Sequence, residues 1–256
     1  KSILFARDRF GIKPLYYYKK DNHISISSEL SILRDNINLK INKKGIYQWI
    51  KYGFNDNDNT IFKNIFRLKP GHYVKTNLST FNEVEYYKHP KNNNEIILDE
   101  FKVKNLLIES IQNQYDSSDV PISLMLSGGI DSSLIASIIK DELNYELNTY
   151  SLVFTNKRVD ESERIKFLVK KLSPNHNFIP LNDNDIFDEI NNELNDINSL
   201  ESNPASSLMN IISSKISKNY KVAFNGLGGD ELFYGYNRHI AHNLFNKYYN
   251  ILNLFP

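Results

Sequence analysis

The chain has 256 residues, 41% of them hydrophobic, a formal net charge of +1 and no cysteine. That size suits one large or two modest globular domains. The composition excludes a disulfide framework, a cysteine metal site and a cysteine nucleophile within this chain. Charge is mixed along its length, which argues against a nucleic-acid surface.

No apolar run is long enough to cross a bilayer, and the first residues carry no signal-peptide pattern. We therefore expect no membrane association and a cytoplasmic protein. Lys1 stands in place of Met at the head of a strand-like run, so we expect an internal piece of a longer protein.

In chain order, ILFAR, PLYYYKK and HISISS read as short β-runs divided by Gly11, Pro14 and Asp21-Asn22. KKGIYQWIKYG (43–53) reads as a short helix. FRLKPGHYVKT gives a Pro70-Gly71 turn and a strand, and VEYYKHP another strand. KHPKNNNE (88–95) is the best linker, which places a domain boundary near residue 90 and domains at 1–90 and 91–256. Residues 96–114 read as a helix. Apolar runs then alternate with helical patterns. The runs are PISLML, TYSLVF, NFIPL and KVAFNG; the helical patterns are 132–143, 161–172 and one long stretch, 184–218. Strand and helix in alternation predict an α/β domain with a parallel sheet.

SGGIDSS follows the first run of that domain and precedes a helix with the apolar face Leu134, Ile135, Ile138 and Ile139. In such sheets ligands sit beyond the C-terminal strand ends. Gly128 and Gly129 let backbone approach a ligand closely. Ser127, Ser132 and Ser133 add hydroxyls, and the helix start adds free N–H groups, a combination suited to phosphate. Asp131 fits such a site if a cation accompanies the anion, as a hard oxygen ligand for Mg²⁺. Its other reading is a plain helix cap. Neither GxxxxGK[ST] nor GxGxxG occurs here.

A second loop, VAFNGLGGDELFYGY (222–236), repeats the pattern with Gly226, Gly228, Gly229 and Asp230. On parallel strands both loops open at one sheet edge, and Asp131 and Asp230 can share one Mg²⁺. Two capped turns, with Asp230 and Glu231 at a helix start, are the alternative.

SGGIDSS resembles the pyrophosphate loop of ATP pyrophosphatases. Together with GLGGDELFYGY it resembles the synthetase domain of the glutamine-dependent asparagine synthetase family. DVPISLMLSGG, TYSLVF with DES at 160–162, and NPASSLMNIISSKI agree. ARDRFGIKPLYYY and ISSE (26–29) resemble the closing part of that family's glutaminase domain, and FRLKPGHYV the connecting segment. The resemblance covers nearly the whole chain. It implies the end of an N-terminal nucleophile-type, β-rich glutaminase domain, then a parallel-sheet ATP-pyrophosphatase domain of the adenine nucleotide α-hydrolase type.

The resemblance further implies a ligase that adenylates a carboxylate, usually aspartate, and passes ammonia from glutamine to it, giving asparagine, AMP and pyrophosphate. Ser127, Gly128, Gly129, Asp131, Ser132 and Ser133 match the pyrophosphate cradle, and Asp131 and Asp230 the Mg²⁺ carboxylates. Leu126, Leu152, Asn225 and Gly226 fall where the family contacts the nucleoside; for the two leucines a core role is an equal reading. Asp8 matches the residue that holds the amino group of glutamine, or else is a strand-end Asp balanced by Arg7 or Arg9. ATP and Mg²⁺ are the expected cofactors, small molecules the expected partners, and a homodimer the expected assembly.

Three departures from the family's pattern matter: the first bears on the acceptor, and the other two lead us to expect a fragment that is inactive alone. Leu227 stands where typical relatives carry Glu, and Leu does no acid–base work. The N-terminal cysteine nucleophile is absent, and the family's catalytic lysine falls beyond Pro256. Alternatives are an amidotransferase acting on a sugar acid or a peptide, and a non-catalytic nucleotide-binding relic. Tyr16, Tyr17 and Tyr18 read as strand residues and not as a stacking platform. His239 and His242 lack an evident third ligand, and Lys40, Lys43 and Lys44 read as a solvated cluster.

Overall fold

The computed structural model describes residues 2–55, 58–77, 80–89, 99–155, 162–195 and 205–252. Two compact units emerge, Lys1–Ile96 with Ile190–Ser206, and Ile97–Glu189 with Ser207–Pro256. The expected boundary near residue 90 and most of the 88–95 linker lie outside the described residues.

The first unit holds β1 (Ile3–Ala6), β2 (Tyr16–Lys20), β3 (His23–Ser27), α1 (Leu30–Asn36), α2 (Lys43–Tyr52), β4 (Ile65–Arg67), β5 (His72–Thr76) and β6 (Phe81–Glu85). They form two antiparallel three-stranded sheets, ordered β1-β5-β6 and β3-β2-β4. The aromatic run alternates in β2, so Tyr17 is buried with Phe5, Leu68 and Val74. The strand expected at VEYYKHP sits earlier, at β6. Beyond β6 the Tyr86 N–H donates to the Gly71 carbonyl at 2.8 Å, and its hydroxyl donates to the Arg7 carbonyl at 2.7 Å. α1 and β4 carry too few residues for a periodic signal and were not expected.

From residue 100 on the chain runs α3 (Glu100–Asp116), β7 (Ile122–Met125), α4 (Ile130–Ser137), β8 (Asn148–Phe154), α5 (Ser162–Leu172), β9 (Asn175–Leu181), α6 (Asp183–Asn195), α7 (Ala205–Ile216), β10 (Val222–Phe224), α8 (Gly229–Phe233) and α9 (Asn237–Leu252); Ile190–Asn195 of α6 and the first two residues of α7 group with the first unit, and the other residues of these elements form the second. The expected stretch 184–218 is thus two helices, with 196–204 between them outside the described residues. The strands order as β10-β7-β8-β9, and every pair is parallel. A parallel sheet needs cover on both faces. Leu124 and Leu126 pack with Ala136, Ile139, Ile165 and Ile111 from the helices on one face. Tyr150, Ile179 and Leu181 pack with Ile211, Ile212 and Ile216 of α7 on the other.

α4 corrects one expectation. Leu134 is 43% exposed, while Ser132 and Ala136 face inward with Ile139, at helical spacing of four and three residues. Beyond Ser137 the helix widens into a π-helical turn, Ile138–Glu142, which still buries Ile138.

The β8–β9 register sets Thr149 opposite His176. The Thr149 hydroxyl and His176 Nδ1 are 2.7 Å apart. His176 Nε2 is buried with no hydrogen-bond partner among the described residues, and the Phe178 ring lies 4.2 Å away. Burial lowers the His176 pKa from 6.5 to about 4. On acidification the unfolded chain therefore takes up this proton before the folded one. The stability due to neutral His176 should be complete above pH 6.5 and lost progressively as pH falls toward 4. Denaturation curves at pH 7 and about 4.5 should show a smaller loss for His176→Phe than for the wild type. Equal losses would remove His176 as the cause.

Candidate functional site

Parallel pairing of β10 with β7, Phe224 opposite Leu124, brings the C-terminal ends of the two strands side by side. Each strand then runs into a glycine-rich loop and a helix. Both loops belong to the second unit.

The first loop is held by its own hydroxyls. Ser127 Oγ and Ser132 Oγ are 3.0 Å apart, and the Ser127 N–H donates to Ser132 Oγ at 3.2 Å. The Gly129 N–H donates to Ser127 Oγ at 3.3 Å, and Ser133 Oγ donates to the Gly129 carbonyl at 2.6 Å. Ser132 is buried, whereas Ser127 is exposed. Ser132 thus anchors the loop and Ser127 faces solvent. The first N–H groups of α4 have no carbonyl four residues back within the helix and are available to an anion.

The second loop lies directly on Asp131. A β-carbon on Gly229 would come within 2.5–2.7 Å of the Asp131 carboxyl group. One on Gly226 would lie 3.0 Å from Asp131 Cβ and 3.1 Å from the Ser132 nitrogen. Glycine at both positions lets the second loop sit this close with the Asp131 side chain and the start of α4 undisplaced. Asn225 shapes the turn, its Oδ1 accepting the Leu227 N–H at 3.0 Å. Leu227, at the tip, is 74% exposed.

Asp230 follows Gly229 and so sits one residue from the Asp131 contact. Its own carboxyl rests on Gly235, where a β-carbon would be 1.8 Å from Oδ1. The Tyr236 hydroxyl donates to Glu231 Oε1 at 2.5 Å and holds that carboxyl below the ordinary carboxylate range. Gly235 and Tyr236 are functional neighbours that the sequence reading did not single out; the available signal was the Tyr-Gly-Tyr run, 234–236, after the acidic pair.

Other candidates settle as follows. The Leu126 side chain is 1% exposed and belongs to the core, with its N–H donating to the Tyr150 carbonyl at 2.8 Å. The Leu126 carbonyl accepts the Ser151 hydroxyl. Leu152 packs against the α7-side cluster. Asp160 and Glu161 of the DES string lie outside the described residues. His239 abuts the Tyr234 and Tyr236 rings at 5.0 and 5.5 Å, and His242 Nε2 meets Asn246 at 3.0 Å. Among the described residues no three His, Asp or Glu side chains converge as a metal cluster. A cleft of about 420 Å³ adjoins the first loop, walled by Gly128, Ser133, Glu163, Arg164, Phe167 and Leu168.

Asp8 lies in the first unit. Its carboxylate accepts the N–H groups of Phe10 (3.1 Å), Ile12 (3.0 Å) and Lys13 (2.9 Å). These bonds, led by that from Lys13, hold it below the ordinary carboxylate range. The balancing by Arg7 or Arg9 does not take the form of an ion pair. Arg7 spends its guanidinium on the carbonyls of Lys13, Leu68 and Gly11, and Arg9 lies 5.4 Å from the Tyr87 ring centroid.

Residues 102–253 match the family described as Asparagine synthase, and residues 1–87 match the Glutamine amidotransferase domain. A Methanocaldococcus jannaschii protein, provisionally named glutamine-hydrolyzing asparagine synthetase 2, is 30% identical over 251 residues, covering 94% of this chain and 48% of its own length. The glutamine-hydrolyzing asparagine synthetase 1 of Bacillus subtilis is 27% identical over 238 residues, covering 91% of this chain and 37% of its own. The chain therefore spans about half, or less, of these curated relatives. A solved glutamine-dependent NAD+ synthetase from Acinetobacter baumannii is 14% identical with a TM-score of 0.41, over 70% of this chain and 37% of that one.

The glycine contact yields a sharp expectation. In Gly229→Ala the Asp131 carboxyl can swing aside, so unfolding free energy should change by no more than about 1 kcal/mol. A structure of the variant should show that carboxyl displaced from its wild-type position. An unmoved Asp131, or a collapse in stability, would contradict the close-approach account.

Proposed function

The chain belongs to the asparagine synthase family, and from that premise we propose that it is part of an ATP-dependent amide ligase fed with ammonia from glutamine. The observation that carries the reading is the seating of the second loop on Asp131, which unites two phosphate-type loops at one sheet edge.

In the proposed reaction a carboxylate oxygen attacks the α-phosphorus of ATP and the bond to pyrophosphate breaks. Ammonia then attacks the acyl carbon, loses a proton, and AMP leaves. Ser127, Gly128, Gly129, Ser132 and Ser133 form the cradle for the departing pyrophosphate, Ser132 and Ser133 by holding the loop in shape, Ser127 by its exposed hydroxyl, and the start of α4 by its first N–H groups. Such donors, fixed before the reaction, stabilise charge as it develops. Asn225, Gly226 and the backbone at Leu126, with Leu152 nearby, bound the nucleoside.

Mg²⁺ fits this loop pair. The cation usually takes one or two carboxylates together with substrate phosphates and water. Asp131 and Asp230 offer that number on adjoining loops. Bound there, the ion would neutralise charge on the triphosphate.

In the first unit Asp8 is proposed to hold the amino group of glutamine. Three backbone N–H groups leave room on a carboxylate, which accepts about four hydrogen bonds. We place the division between the glutaminase part and the synthetase part near residue 90. Among the described residues no helix is long and apolar enough to cross a membrane.

Aspartate is the proposed acceptor. A second reading, another carboxylate such as a sugar acid or a peptide, is favoured by Leu227, whose exposed apolar side chain cannot accept a proton or steer ammonium.

The full-length protein should release pyrophosphate from ATP when given its acceptor. Aspartate should stimulate release within a panel of carboxylates. Stimulation by a sugar acid or peptide alone would replace aspartate, and no stimulation by any member would remove the ligase reading. Asp131→Asn and Asp230→Asn should each weaken Mg²⁺-dependent ATP binding in calorimetry by roughly 2–4 kcal/mol. Unchanged affinity in both would defeat the shared cation.

A further inference from the structure

The turn that follows Asp230 and Glu231 is built around their carboxylates. Tyr234 takes left-handed backbone at φ 60°, and the Gly235 N–H returns to the Asp230 carbonyl at 3.1 Å. The chain thereby folds back over the start of α8. Gly235 comes to lie against the Asp230 carboxyl, too close for any β-carbon. The next residue, Tyr236, sets its hydroxyl 2.5 Å from Glu231 Oε1.

The Tyr236 ring is held in turn. The Arg238 guanidinium lies 4.1 Å from its centroid, and the His239 ring meets it edge-on at 5.5 Å. The His239 N–H donates to the Tyr236 carbonyl at 2.9 Å. The hydroxyl therefore acts from a fixed ring and not from a freely rotating side chain.

Neighbouring carboxylates on a loop tip repel each other and sample several rotamers. A ligand that needs them must order them on binding, and that cost is removed when the protein orders them beforehand. We propose that Tyr236 is a positioning residue for the nucleotide's divalent cation: its hydroxyl bond to Glu231 closes the turn that seats Gly235 against Asp230, and so presets the Asp230 carboxyl next to the loop that carries Asp131. This rests on the reading of the two loops as an ATP site. Tyr236 touches neither nucleotide nor cation; it acts through Glu231.

The test is a double-mutant cycle in the full-length protein, read by calorimetry with ATP in the presence and absence of Mg²⁺. Tyr236→Phe keeps the ring between Arg238 and His239 and deletes only the hydroxyl. It should weaken ATP binding about tenfold with Mg²⁺, the scale of a hydrogen bond to a charged group, and leave binding without Mg²⁺ unchanged. In a Glu231→Gln background the same substitution should cost less than about twofold. Equal losses in both backgrounds, equal losses with and without Mg²⁺, or no loss at all would overturn the positioning role. A wild-type protein that binds no ATP with Mg²⁺ would overturn the site reading itself, and the proposal with it. A loss of folding alone would lower the thermal midpoint without separating the Mg²⁺-containing and Mg²⁺-free titrations.

Discussion

The site depends on one contact, the Asp131 carboxyl against the backbone of Gly229. It exists because β10 pairs in parallel with β7, which delivers two loops to the same edge. It persists because Gly226 and Gly229 have no β-carbon. A β-carbon at 226 would press on Asp131 Cβ and the Ser132 nitrogen, and one at 229 would displace the Asp131 carboxyl from its seat. With the contact in place, Asp131 adjoins the segment that carries Asp230 and Glu231, beside a loop whose own hydroxyls keep it in shape.

That arrangement divides labour between neighbouring residues. Ser132 and Ser133 spend their hydroxyls inside the loop, while Ser127 keeps an exposed face. Leu126 anchors the strand end in the core, its backbone bonded to Tyr150 and Ser151 of β8. The second loop follows the same logic with carboxylates, resting Asp230 on Gly235 and tying Glu231 to Tyr236. Leu227 projects an exposed apolar side chain from the tip of the second loop, and the proposed acceptor turns on it.

Much of this was legible in the sequence. The runs PISLML, TYSLVF, NFIPL and KVAFNG coincide with β7 to β10, because buried parallel strands read as continuous apolar stretches between glycine-bearing loops. The α/β class and the common edge followed from that alternation. What stayed hidden was set by tertiary contact. β4 has three residues and exists through its pairing with β2. Leu134 turned outward because Ser132, Ala136 and Ile139 define the inner face of α4. The Asp8 bonds to Phe10, Ile12 and Lys13 depend on a loop closing over its own carboxylate, which no spacing rule marks. Gly235 looks like a flexible link until Asp230 is seen against it.

The most direct measurement is a crystal structure of the full-length protein with Mg²⁺ and a non-hydrolysable ATP analogue. The account predicts the β- and γ-phosphates against residues 127–133 and a Mg²⁺ ion bound by both Asp131 and Asp230. A nucleotide seated elsewhere, for example in the cleft beside Phe167, or an ion that touches neither aspartate, would contradict it.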